Sequence, residues 1–202
     1  ATAVALIRSP LGQRSGAHLN PAVTLTYWTL GRLRPPDALG YVAAQFTGAI
    51  AGVAVANRVI GAPLLADSGV NYAATLPGMP GPLAAACAEA AISFLLMTTV
   101  LHFANTRRLE RYTPFAAGAL VALFITFEAP LSGMSMNPAR TAGSALIAGE
   151  PLWPLVYFLA PTAGMLAAAA LYRGRVYCAK LHHANHARCI FLCQYGALHS
   201  HE

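Results

Sequence analysis

Long apolar runs separated by short polar breaks dominate the chain, and there is no sustained alternation of the kind a half-buried sheet would show. Three runs, 38–60, 82–104 and 152–172, reach the roughly 20 residues that a membrane-spanning helix requires. A fourth, 112–129, is shorter and ends at Glu128 and Pro130, and residues 1–11 read as the last turns of a further span. Two more apolar stretches, 21–32 and 138–148, have the wrong length. At about 1.5 Å rise per residue they cover some 16–18 Å, about half of a ~30 Å hydrocarbon core. Each can enter a membrane and neither can cross it.

Composition supports a membrane class. Apolar residues make up 56% of the 202 and charged residues 10%, where a soluble domain has roughly 45–50% and about 25%. Disorder and collagen-like structure are excluded by the high hydrophobicity and the scattered glycines.

The net charge of +6 looks at first like a nucleic-acid signal, but eleven of the thirteen basic residues sit in three polar clusters. These are Arg8, Arg14, Arg32 and Arg34; Arg107, Arg108 and Arg111; and Arg173, Arg175, Lys180 and Arg188. Counting spans puts all three on one face, which the positive-inside rule makes cytoplasmic, tail included. Nucleic acid is therefore not an expected partner. The break 61–81 carries no Lys or Arg, as an outer loop should. Arg58 lies near an outer helix end, and Arg140, inside the second short stretch, is the charge that topology leaves unexplained. Cys87, Cys178, Cys189 and Cys193 are too few and too uneven for a disulfide scaffold.

The short stretches are copies of one another. SGAHLNPAVT (15–24) over SGMSMNPART (132–141) gives six identities in ten at a constant offset of 117. An odd number of spans between them makes the copies enter from opposite faces, the inverted repeat in which discontinuous helices meet at the bilayer midplane. In each copy Asn is a preferred N-cap, and Pro at the first helical position loses no hydrogen bond. Asn20-Pro21 and Asn137-Pro138 should thus open two opposed half-helices. With the amide oxygens committed to capping, both NH2 groups should point into the gap, beside helix termini each worth roughly half a positive charge.

These residues resemble the two signature loops of the aquaporins, or major intrinsic proteins. The likeness runs from Ala1 to about Tyr172 and includes Gln45, Gly48, Glu89, Pro161 and Gly164. It implies an all-α membrane protein, a right-handed helical bundle with an inverted repeat, the half-helices meeting at Asn20-Pro21-Ala22 and Asn137-Pro138-Ala139. The first span and part of the second would lie upstream of Ala1. Residues 1–172 would form the channel domain and 173–202 a cytoplasmic tail, in a homotetramer with one pore per subunit, multi-pass in the plasma (inner) membrane. No cofactor and no enzymatic activity are implied, and neither paired carboxylates, a nucleophile elbow nor a P-loop suggests any.

By the same resemblance, Asn20 and Asn137 would be central donors to the permeant. Carbonyls of Gly16, Ala17 and His18, and of Gly133 to Ser135, would be the acceptor ladder. Arg140 would be the filter cation, with Ile125 and Met134 beside it; Ile125 stands where water-strict members often carry His. Thr141 in place of Asp, Ala145, and the pair Tyr157-Phe158 argue against a glycerol facilitator, which stays the alternative together with a non-conducting structural member. The expected permeants are water and small neutral solutes such as ammonia and hydrogen peroxide.

Four side chains carry further readings. His18 is either a titrating pore lining or a ring that packs its loop, and packing is favoured. Glu89 is expected to anchor loop N–H groups instead of relaying protons. Glu128 has no role beyond lining the outer mouth. In the tail, Cys178, His182, His186, Cys189 and Cys193 fall at helical offsets of 0, 4, 8, 11 and 15. That face suits zinc or copper(I), but an amphipathic basic tail on the inner leaflet explains it equally simply and is preferred.

Overall fold

The computed structural model describes residues 2–176 together with Ala179, and every regular element among them is helical. We label α1 (Thr2–Arg8), α2 (Pro10–Ser15), α3 (Pro21–Thr29), α4 (Pro35–Ile60), α5 (Pro82–Ala104), α6 (Thr113–Phe127), α7 (Pro138–Ala148) and α8 (Ala160–Leu171). Of these, α4 and α5 are long and apolar enough to cross a membrane unaided. The helix starts follow from proline, which stands in the first turn of all of these except α1.

The sequence pattern needs correction in three places, the first being that α3 ends at Thr29, short of the expected 32. Residues 1–11 are not one helix: α1 ends at Arg8, and Pro10 opens α2 with the Ser9 hydroxyl capping Gly12 N–H at 3.0 Å. The last span is not uniformly α-helical. A π-helical turn, Leu155–Leu159, precedes α8, and the Ala160 N–H donates to Leu155 O. Pro161 supplies the reason, because it has no N–H for the Tyr157 carbonyl and its ring would crowd that carbonyl in an unbroken α-helix.

The packing follows the repeat. α4 lies against α7 and α8 lies against α3, so the last span of each repeat cradles the half-helix of the other. The most extensive contact is α5 with α8, where Gly164 makes the approach possible; a Cβ there would sit 2.2 Å from Ala90 O. Gly143 likewise lets α7 onto α4, its missing Cβ 2.8 Å from the Ala49 carbonyl carbon. The main core joins Ala22, Val23 and Tyr27 of α3 to Met97 and Leu101 of α5 and Met165 of α8. Substituting Gly164 by Ala should cost about 1–3 kcal/mol through overpacking, read as a lower detergent-unfolding midpoint, and an unchanged midpoint would contradict this packing.

Candidate functional site

The two half-helices start in matching backbone geometry. Asn20 (φ −143, ψ 122) accepts Ala22 N–H at 2.9 Å, and Asn137 (φ −143, ψ 104) accepts Ala139 N–H at 3.1 Å and Arg140 N–H at 3.3 Å. Upstream, Gly16 and Ala17 (φ 73 and 58) repeat at the same offset as Gly133 and Met134 (φ 75 and 49). Two successive left-handed residues turn the loop, and only Gly takes the first without steric cost.

The sequence implied free amide NH2 groups, and the structure corrects this: each has one hydrogen engaged. Asn20 Nδ2 donates to Met136 O at 2.7 Å, and Asn137 Nδ2 donates to Leu19 O at 2.9 Å. Each asparagine therefore caps its own helix with its oxygen and ties down the opposite loop with one hydrogen. The second hydrogen of each amide is left over.

The surrounding side chains support irregular backbone, and they too come in pairs. Ser15 Oγ accepts Ala17 N–H at 3.3 Å and Ser132 Oγ accepts Met134 N–H at 3.1 Å. Tyr41 OH donates to Ser15 O at 2.8 Å and Tyr157 OH donates to Ser132 O at 2.6 Å. Beyond these the loops differ. In the first, Gln45 Nε2 donates to His18 O at 2.6 Å and to Thr24 Oγ1 at 2.9 Å. In the second, the fully buried Glu89 carboxylate accepts Ser135 N–H and Met136 N–H, each at 2.6 Å, and the Ser132 hydroxyl at 2.8 Å.

Sequence reasoning missed the tyrosines as loop anchors. The signal was there: Tyr41, Ala44 and Gly48 recur as Tyr157, Ala160 and Gly164 at an offset of 116, on one helix face.

A cavity of about 560 Å³ runs past the motifs, lined by His18, Leu19, Asn137, Ala139 and Arg140 and by the small residues of α4, Gly48 and Gly52 among them. Arg140 is half-buried, with Nη1 inaccessible to solvent and unpartnered. Two residues expected at the filter do not line this cavity. Met134 is buried, 6% exposed, in the apolar core with Met136 and Met165, and Ile125 is 56% exposed on α6.

The His18 ring packs its loop. It is buried, stacked on Tyr27 at 5.1 Å, with Nδ1 3.4 Å from Thr24 Oγ1 and Nε2 2.5 Å from Ala179 O. Glu128 is buried at the end of α6 with both carboxylate oxygens unpartnered. Cys87 is a free, exposed thiol. No group of three or more potential metal ligands occurs among the described residues, and the face of Cys178, His182, His186, Cys189 and Cys193 lies outside them.

The family model "Major intrinsic protein" matches residues 1–172. The chain belongs to the major intrinsic protein family. Its members are integral, multi-pass membrane channels and not enzymes. Among relatives of this major intrinsic protein, the probable aquaporin AqpM of Archaeoglobus fulgidus is 36% identical over 181 residues, covering 85% of this chain and 72% of its own. Aquaporin NIP1-2 of Oryza sativa subsp. japonica is 38% identical over 161 residues, 78% of this chain and 52% of its own. Aquaporin AqpM of Methanothermobacter thermautotrophicus is 34% identical over 170 residues, 81% and 69% respectively. The chain thus spans about half the length of the rice relative it matches.

Replacing Glu89 by Gln puts an NH2 group against one of the loop donors that the carboxylate now accepts. Each buried donor left unmatched costs about 1–3 kcal/mol, so Glu89→Gln should lower the thermal midpoint of the purified protein markedly. An equal midpoint would show that Glu89 does not hold the loop.

Proposed function

We propose that this protein is a passive channel for water, admitting ammonia and hydrogen peroxide as small neutral co-permeants and excluding protons and ions. The observation that carries the reading is the pair of Asn-capped half-helices tied to each other's loops by Asn20 Nδ2 to Met136 O and Asn137 Nδ2 to Leu19 O. The arrangement brings two positive helix ends and two amides together at one place in a bundle with membrane-length helices. A water molecule there offers its oxygen to the remaining amide hydrogens and its own hydrogens to loop carbonyls from Gly16 to His18 and Gly133 to Ser135. Because oxygen must orient toward the amides, a water file is interrupted at this point, and the positive helix ends with Arg140 raise the energy of a cation. The relatives named as aquaporins support the water assignment. The functional unit is a homotetramer in the plasma (inner) membrane, with lipid around it and the tail in the cytoplasm, the side marked by eleven basic residues.

Proteoliposomes of the full-length protein should shrink faster than empty vesicles under an osmotic step in stopped flow, with no increase in proton leak. Equal shrinkage rates would sink the water reading, and glycerol uptake exceeding water flux would favour the facilitator alternative. Arg140→Val should raise the passage of urea and of protons in the same vesicles; unchanged passage of both would remove Arg140 from the filter.

A further inference from the structure

The connection between α4 and α5 reaches down to the start of α7. Thr75 is completely buried, and its hydroxyl lies 2.9 Å from the hydroxyl of Thr141, the residue directly after Arg140. Thr141 Oγ1 is in turn 2.5 Å from Ser135 Oγ, and Ser135 Oγ donates to Asn137 O at 3.0 Å. Three hydroxyls supply three protons for three bonds, and the last acceptor is a carbonyl with no proton of its own. Only one order satisfies all three: Thr75 donates to Thr141, Thr141 to Ser135, and Ser135 to the Asn137 carbonyl.

Independent backbone contacts hold the same stretch in place. Gly78 N–H donates to Leu131 O at 2.9 Å, and a Cβ on Gly78 would stand 2.1 Å from Pro130 O. A Cβ on Gly133 would stand 3.1 Å from Leu76 N and 3.2 Å from the Thr75 Cα. The outer connection is therefore packed directly against the second signature loop.

We propose that Thr75 is a positioning residue for the selectivity filter, fixing Arg140 through Thr141 and so setting the largest solute that passes. The inference rests on the channel reading above. Arg140 stands between two residues that the hydroxyl chain immobilises, Asn137 three positions earlier and Thr141 next to it. Its own N–H donates to the Asn137 side chain, at 3.3 Å. Nη1 is inaccessible and unpartnered, so the backbone at 137–141 contributes to where the guanidinium stands. Removing the Thr75 hydroxyl leaves the rest of the proton order intact but detaches the start of α7 from the outer connection, and the constriction can then widen.

The test uses the full-length protein in proteoliposomes, comparing wild type with Thr75→Val, Thr75→Ala and Thr75→Ser and reading the ratio of urea to water permeability at matched protein content. The Val and Ala variants should raise the ratio by about fivefold, the size of one net hydrogen bond, with water flux retained, and Ser should keep the wild-type ratio. A ratio unchanged in Val and Ala, or a Ser variant that behaves like Val, overturns the proposal. If Val and Ala fail to reach the membrane while Ser does so normally, the hydroxyl serves folding and not the filter, which overturns it as well; failure of all three does the same. A wild type that conducts no water refutes the channel reading itself, whereas normal wild-type flux with unchanged ratios refutes only the role of Thr75.

Discussion

Non-helical backbone at membrane depth is tolerable only if its N–H and C=O groups find partners inside the protein, and this requirement organises the molecule. Both signature loops leave helical geometry at Gly16 and Gly133 and regain it at Pro21 and Pro138. Side chains from four other elements supply hydrogen bonds to these loops and to the residues that flank them. Glu89 comes from α5, Tyr41 and Gln45 from α4, Tyr157 from the π-helical turn, and Thr75 reaches in by way of Thr141. Spanning helices placed at these angles, with glycines admitting backbone to backbone, are a consequence of delivering those donors and acceptors to two short loops.

The twofold relation between the repeats is close where geometry alone matters. The asparagine caps, the serine turns and the tyrosine anchors recur with the same bonding. It ends where chemistry differs. Among the described residues the first loop is held by an amide, Gln45, which donates to a carbonyl and a hydroxyl. The second is held by a carboxylate, Glu89, which accepts from backbone N–H groups. The second half of the site also carries Arg140, directly after the second Asn-Pro-Ala. The π-helical turn fits this picture, because the widened turn that accommodates Pro161 contains the tyrosine whose hydroxyl reaches Ser132.

Much of this was legible in the chain. The starts of the half-helices at Pro21 and Pro138 follow from length and from Asn-Pro, both local signals; α7 begins and ends where the pattern placed it, whereas α3 ends at Thr29, short of the expected 32. The burial of Glu89 was readable because a lone carboxylate in an apolar run must find donors. The filter was less legible: the resemblance places Met134 and Ile125 beside Arg140, while Met134, at positive φ, packs in the core and Ile125 stands exposed on α6. The asparagine amides were read one residue at a time, and nothing local reveals that each has a carbonyl waiting on the other loop.

By itself, then, the sequence determined the class of molecule, the family, the inverted repeat and the points where the two half-helices begin, because each depends on hydrophobic length, proline geometry or capping within a few residues. The tertiary structure alone decided how those helices are held: the cross-bonded asparagines, the burial of Met134 in the core, the tyrosine anchors and the hydroxyl chain from Thr75 to Asn137. The reason is physical. Hydrophobic periodicity is written along the chain, whereas satisfaction of a buried polar group depends on which atoms from distant segments come within three ångströms of it, and only packing fixes that.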